Sequence, residues 1–208
     1  AGFTLATHDL EIRGAGELLG EEQSGQMQSV GFSLYMEMLD QAIKSIQQGK
    51  TPDLDKPLHH GSEINLHLPA LIPDDYIPDV HNRLMLYKRV ANAENDAALD
   101  ELQVEMIDRF GLLPESTKNL MRLTHIKLRA EALGITKLDA GEKSGRIEFE
   151  AEPNVDPMTL ITLIQRQPER FRLDGASILR FTQPMEKVAS RFEAVERLLT
   201  QLSLKEKS

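Results

Sequence analysis

The chain has 208 residues, of which 33 are acidic and 24 are basic, and its formal net charge is −9. Because nucleic-acid affinity comes largely from neutralising phosphates, a chain this acidic is expected to bind DNA poorly unless its basic residues segregate on one surface. Cysteine is absent, which excludes disulfides, thiolate metal sites and cysteine nucleophiles.

The opening stretch is rich in glycine and reads DLEIRGAGELLGEEQSG over residues 9–25. Its spacing G-A-G-E-L-L-G is one residue longer than the dinucleotide-binding pattern, and no Lys-Ser/Thr pair follows as in a P-loop. We therefore expect a flexible turn there and no nucleotide site. From Phe32 to Ile46, apolar residues recur every three or four positions, which predicts a long amphipathic helix ending at Gly49.

The opening residues also lack an initiating Met and the pattern of a signal peptide. No apolar run approaches the ~20 residues of a membrane span. We expect a cytoplasmic protein without membrane contact, and we expect the chain to be part of a longer one.

Residues 49–62 collect Gly, Pro, Asp and Lys with little periodicity and are predicted to be a linker. Apolar and polar residues then alternate from Ile64 to Leu68, as in a half-buried strand. Two turns that contain proline follow, and Asp79 after them is predicted to be the N-cap of a helix. Three helices are predicted next, beginning near Val80, Asp96 and Pro114, with the second and third ending at Gly111 and Gly134.

Beyond Gly134 the apolar period changes from about three and a half residues to two. The stretches ITKLDAGEKSGRIEFE and FRLDGASILRF both predict strand-turn-strand units. A helix is predicted between them in DPMTLITLIQRQ, and a last one from about Met185 to Leu204. The fold class is therefore α+β: a glycine-rich loop and a long helix, then a compact domain of several helices packed with a small, mostly antiparallel sheet.

Few residues could carry chemistry. Arg13 is a single guanidinium among acids and glycines, able to pair with a carboxylate or hold a phosphate. Glu105 and Asp108 lie three residues apart, so they are neighbours on one helix face near the edge of its buried stripe. The six histidines have no partners at metal-site spacing, so we expect no metal site, and nothing in the sequence builds a catalytic centre.

Two segments carry a family resemblance. HDLEIRGAGELLGEEQSG resembles the segment that follows the last helicase motif in RecG-type translocases and in bacterial transcription-repair coupling factors (the Mfd family). LPALIPDDYIPDVHNRLMLYKRVANA and ELQVEMIDRFGLLPE resemble the C-terminal domain peculiar to the coupling factors. The match extends in order over essentially all 208 residues.

The resemblance implies a division into two parts. Residues 1–50 are then the tail of the RecG-like translocation module, and residues 51–208 the C-terminal regulatory domain. In that family the loop's arginine, here Arg13, links ATP hydrolysis by two RecA-like motor lobes to movement along duplex DNA, and Gln23 stands at the matching polar position. The parent is implied to be an ATP-dependent translocase that displaces stalled RNA polymerase and recruits UvrA for nucleotide excision repair. ATP and Mg²⁺ are bound by motor domains outside this sequence, so we expect neither a cofactor nor an enzymatic activity here.

The resemblance also implies an autoinhibitory role. The regulatory domain packs against an N-terminal UvrB-like module of the same protein and masks the surface that recruits UvrA, until engagement of RNA polymerase releases it. The family segment E-x-x-D-R-F-G corresponds to residues 105–111. We place the intramolecular contact at Glu105 and Asp108.

Two alternatives remain open. In the first, the chain is a nucleic-acid-binding accessory module of a RecG-like helicase and binds through the basic helix 118–129 together with Lys137, Lys143 and Arg146. Alternatively it is an independent enzyme, which the missing catalytic constellation disfavours. Net charge favours the regulatory domain over the nucleic-acid module.

Overall fold

The structure is a computed structural model, and it describes residues 61–205. The predictions for the glycine-rich loop and the long helix that follows it lie outside these residues, as does the predicted linker as far as residue 60. The helices of the described part are α1 (Val80–Ala91), α2 (Asp96–Phe110), α3 (Glu115–Leu133), α4 (Pro157–Arg166) and α5 (Val188–Ser203). Its strands are β1 (Glu63–Asn65), β2 (Ile135–Ala140), β3 (Ser144–Phe149), β4 (Phe171–Asp174) and β5 (Ile178–Thr182).

The strands form a mixed sheet in the order β1-β2-β3-β5-β4. Only β1 and β2 pair in parallel, and the other three pairings are antiparallel. The predictions of an α+β fold and of a mostly antiparallel sheet are therefore confirmed for the described residues, as are the two strand-turn-strand units. The parallel pairing was not predicted, since it joins strands separated by three helices.

The described residues divide into two compact units, of which the first comprises residues 68–125. In this unit the predicted N-cap Asp79 accepts a hydrogen bond from the amide of His81 at 3.0 Å. The buried hydrophobic side chains of its helices recur at helical spacing, as in Leu99, Leu102 and Met106 of α2. Periodicity and capping thus placed these helices correctly.

The irregular segment before α1 is fixed by side chains that satisfy its backbone. The Tyr87 hydroxyl accepts from the amide of Ile72 at 2.7 Å, and the Thr117 hydroxyl donates to the carbonyl of Leu71 at 3.0 Å. The buried Arg83 donates to the carbonyl of Ile77 at 2.6 Å. Because buried backbone groups must be paired, these contacts allow a proline-rich loop to lie in the core.

The second unit comprises residues 61–67 and 126–205 and contains the whole sheet. Alternate strand residues are buried on one face of the sheet, among them Leu138, Ile147, Leu179 and Phe181. The residues between them therefore point to the opposite face, which carries polar and charged side chains. Helix α5 adds a further buried stripe to this unit, comprising Phe192, Val195, Leu198, Leu199 and Leu202.

A buried arginine joins three loops of the second unit. Arg191, only 4% exposed, donates through Nη1 to the carbonyls of Leu66 at 2.9 Å and His67 at 3.2 Å. Its Nε donates to the carbonyl of Gly141 at 3.1 Å. Nε also donates to the carbonyl of Met185 at 3.2 Å, and Nη2 donates to that of Glu186 at 3.2 Å.

Candidate interaction surface on helix α2

Helix α2 presents a defined face because both of its ends are fixed. At its start the Asn95 side chain accepts a hydrogen bond from the amide of Ala98 at 2.8 Å. At its end Gly111 has φ of 94°, a left-handed conformation that glycine adopts without strain, and its amide donates to the carbonyl of Ile107 at 2.9 Å. With the apolar stripe of α2 buried, its opposite face is left to solvent.

The C-terminal end of α2 is held by Tyr76. Its hydroxyl donates to the carbonyl of Gly111 at 2.8 Å, and its ring lies edge-on to Phe110 with centroids 6.1 Å apart. Burial raises the pKa of Tyr76 above its ordinary value. Arg109 stacks its guanidinium 4.7 Å from the Phe110 ring centroid, which adds a cation–π contact.

Glu105 is the centre of a charge cluster between α1 and α2. Its carboxylate accepts hydrogen bonds from both Nη atoms of Arg89, one of them at 3.2 Å. Arg109, four residues further along α2, approaches the same carboxylate at 3.4 Å. The hydrogen bond from Arg89, followed by smaller contributions from Arg109, holds the pKa of Glu105 below its ordinary value. Glu105 is thus ionised and engaged with two arginines of its own unit.

Asp108 lies on the solvent side of α2 and makes no ion pair within residues 61–205. Around it the structure leaves three large apolar side chains exposed. Val104 is 67% exposed, Ile107 41% and Leu112 84%. Spacings of three and four residues bring Val104, Ile107 and Asp108 onto neighbouring positions of the helix surface. We call Val104, Ile107, Asp108 and Leu112 the α2 patch.

The two predicted interaction residues therefore differ in their surroundings. Asp108 is open to an external partner, whereas Glu105 organises Arg89 and Arg109 at the edge of the patch. Sequence reasoning missed both arginines. Arg109 was detectable, because Glu and Arg at i and i+4 form a known helix pair. Arg89 was not, because it reaches Glu105 from another helix.

Arg13 and Gln23 lie outside the described residues. Two basic side chains of helix 118–129 have partners: Lys127 lies 3.8 Å from Glu131, and Arg129 donates to Thr200 at 2.8 Å. Of these two side chains, only Lys127 is paired with a carboxylate.

Between residues 61 and 205 no three His, Asp or Glu side chains are grouped so that they could hold a metal ion. None of the helices in that range is sufficiently long and apolar to pass through a membrane.

Comparison with known proteins assigns the chain to a family. The TRCF domain model matches residues 66–160, a range that includes the whole of α2. The transcription-repair-coupling factor of Haemophilus influenzae is 53% identical over 199 residues, which is 96% of this chain and 17% of the relative. The chain belongs to the transcription-repair coupling factor family. The Escherichia coli K12 coupling factor is 49% identical over 202 residues, which is 97% of this chain and 18% of the relative.

A solved structure supports the coupling-factor fold. The crystal structure of a C-terminal domain of transcription-repair coupling factor superposes with a TM-score of 0.58 and 23% identity, covering 71% of this chain and 97% of that chain. The chain spans less than a fifth of the length of the two curated coupling factors. It therefore corresponds to the C-terminal TRCF domain of these longer proteins.

Proposed function

We propose that residues 51–208 act as an autoinhibitory domain of a coupling factor. The α2 patch docks onto a basic surface of the UvrB-like module in the same protein and masks the surface that recruits UvrA. The observation that carries the proposal is the exposure of Val104, Ile107 and Leu112 beside an unpaired Asp108. Apolar side chains with charges at their border are typical of protein–protein interfaces.

Glu105 contributes to this docking indirectly. It neutralises Arg89 and Arg109, which lie at the border of the patch. Without the carboxylate, two guanidinium groups stand free and repel a basic partner. Loss of Glu105 therefore weakens docking because the freed arginines repel the basic partner. Loss of Asp108 weakens it because an attraction to that partner is removed.

The test uses the full-length protein and measures its affinity for UvrA. The variant Glu105→Ala/Asp108→Ala should open the protein and raise that affinity, about tenfold in a coupling range of ~5–150-fold. A matched control is Asp74→Ala/Asp75→Ala, which removes the same two charges from exposed positions before α1. The control should bind UvrA as the wild type does. If the test variant also binds UvrA no better than wild type, the docking contact lies elsewhere.

A second variant separates the apolar part of the patch from its charges. Val104→Ser/Leu112→Ser leaves the net charge unchanged and removes two exposed apolar groups. Because both side chains face solvent in the described residues, the melting temperature of the domain should barely change. UvrA affinity of the full-length protein should rise if the patch is buried by docking, and unchanged affinity contradicts that burial.

We propose further that the full-length protein is an ATP-dependent DNA translocase that displaces stalled RNA polymerase. Arg13, with Gln23 at the matching polar position of the loop, links ATP hydrolysis in the RecA-like motor domains to movement along duplex DNA. Arg13→Ala should leave folding intact and abolish translocation, and Arg13→Lys should restore little, because an ammonium cannot reproduce a planar bidentate fork. Normal translocation by the alanine variant contradicts this role.

A further inference from the structure

Helix α4 has large apolar side chains on its outward side as well as on its buried side. Of its ten residues, PMTLITLIQR, only Arg166 is charged. Thr159 and Leu163 are buried within the second unit. On the outward side Met158 is 53% exposed and Ile161 41%. Because a surface helix ordinarily turns a polar face to solvent, this composition is typical of a helix that is covered on both sides.

A groove of about 390 Å³ lies between α4 and the end of α5. Thr162 and Arg166 line it from α4, and Leu204, which is 61% exposed, lines it from the other side. The Thr159 hydroxyl donates to the carbonyl of Leu204 at 2.7 Å, so the two sides are joined at one point. Met158 precedes Thr162 by four residues and therefore continues the α4 side of the groove. We call this groove, together with Met158 and Ile161, the α4 groove.

Both charged side chains that line the groove are cations. They are Arg166 on α4 and Lys205 after α5, and no carboxylate from the described part of the chain lines the groove. Arg166 makes no ion pair within residues 61–205. The Lys205 ammonium donates to the side-chain oxygen of Asn154 at 3.4 Å, which is a neutral acceptor. Although the chain as a whole is acidic, the α4 groove therefore presents positive charge beside apolar side chains.

We propose that the α4 groove docks a helix of a partner protein whose apolar stripe is bordered by carboxylates. The stripe covers Met158, Ile161 and Leu204, and the carboxylates pair with Arg166 and Lys205 at the border of the contact. A basic partner would be repelled by both cations, so the charges select an acidic one. This docking is separate from that of the α2 patch, because the groove lies within the second unit and the patch within the first.

The backbone beside the groove favours a docked helix over a docked strand. Most residues that line the groove belong to α4 or α5, and the backbone groups of a helix interior bond within the helix. An added strand needs free backbone donors and acceptors along an edge, which helices do not offer. Met158, Thr162 and Arg166 follow one another at intervals of four residues and form a row roughly 12 Å long. That length matches about two turns of a docked helix.

The test is a titration of the 208-residue chain with two labelled peptides of about 18 residues, a length at which a helix can form. Both peptides carry leucine along one helical face, and the flanking positions are glutamate in one peptide and lysine in the other. The glutamate peptide should bind about tenfold more tightly at low salt. Arg166→Glu should weaken binding of the glutamate peptide and strengthen that of the lysine peptide. Met158→Ser should weaken the glutamate peptide about fivefold, because an apolar contact is lost without a change in charge.

The matched control is Met85→Ser, which removes the same exposed side chain from α1. It should bind the glutamate peptide as the wild type does, and the melting temperatures of all three variants should stay close to that of the wild type. Equal losses in Met85→Ser and Met158→Ser overturn the proposal, as does a lysine peptide that binds as tightly as the glutamate peptide. Absence of binding at about 1 mM glutamate peptide also overturns it. So does a dimer of the chain in sedimentation that Met158→Ser abolishes, because a second copy then covers the groove.

Discussion

At the scale of single residues, Arg191 contributes to the fold of the second unit through hydrogen bonds to carbonyls. All five hydrogen bonds that its side chain makes in the described residues end on backbone carbonyl oxygens. A buried guanidinium needs such partners because the cost of removing it from water is large. Its side chain is the hydrogen-bond donor to carbonyls at the end of β1, in the β2–β3 turn and in the segment before α5. These three segments are far apart in sequence, so no local hydrogen bond could connect them.

We expect Arg191→Ala to lower the free energy of unfolding by about 3–5 kcal/mol, since it leaves several buried acceptors unsatisfied. Arg191→Lys should cost less, because an ammonium retains three of the five donors. Urea unfolding of the 208-residue chain measures both. The control Arg197→Ala, on the exposed side of the same helix, should change the free energy by no more than ~0.5 kcal/mol. Equal effects of the two alanine variants would show that the hydrogen bonds of Arg191 do not stabilise the fold.

Glu105 makes a contribution to stability that depends on pH. Its pKa is lower in the folded chain than the ordinary value of 4.5, chiefly because Arg89 donates to it. A carboxyl whose pKa is lowered on folding stabilises the fold fully above the unfolded pKa and loses that effect as pH falls through the folded pKa.

The free energy of unfolding of Glu105→Gln should therefore differ most from that of the wild type at neutral pH. The difference should narrow as pH falls below 4.5, where the wild-type carboxyl becomes protonated. Unfolding curves collected at a series of pH values measure the narrowing. The control is Asp108→Asn, because Asp108 makes no ion pair in the described residues. If the difference in free energy of unfolding between Glu105→Gln and the wild type is the same at every pH, the ion pair of Glu105 with Arg89 does not contribute to stability.

At the scale of elements, α2 combines a buried stripe with an exposed patch, and its caps fix the boundary between them. We expect Asn95→Ala to lower the free energy of unfolding by about 1 kcal/mol, because the amide of Ala98 loses its acceptor. Asn95→Asp should be tolerated, since a carboxylate also caps and favours the helix N-terminus. Chemical denaturation checks both, and an alanine variant as stable as wild type would contradict the capping role.

At the scale of the whole molecule, the chain spans less than a fifth of the length of two curated coupling factors, and its proposed role is that of an interaction surface. The α2 patch lies within the first unit. Variants of the patch should change the UvrA affinity of the full-length protein and leave the melting temperature of the domain nearly unchanged. A large fall in melting temperature would indicate a fold defect.

The 208-residue chain is expected to hydrolyse no ATP. Its sequence contains neither the P-loop pattern nor the dinucleotide-binding pattern, and Glu17, Glu21 and Glu22 beside the glycines repel phosphate. Phosphate release measured with and without duplex DNA tests this. Turnover stimulated by DNA would overturn it.

The sequence by itself determined the elements and most of their ends. Helix α2 was predicted from Asp96 to Gly111 because its apolar period and its terminating glycine both act within four residues along the chain. The hairpin of β2 and β3 was predictable for the same reason. Asp108 was correctly placed near Glu105, since helical spacing alone makes them neighbours.

Only the tertiary structure decided which distant segments meet. Every non-proline residue offers the same backbone donor and acceptor, so hydrogen bonding alone does not select which strands pair. The parallel pairing of β1 with β2 and the position of β5 between β3 and β4 depend on packing of the buried face. That packing also fixed the register that aligns Arg146 with Arg180 and Arg172. Arg89 reaches Glu105 from another helix for the same reason. These partners are set by side chains far apart in sequence, and no local pattern specifies them.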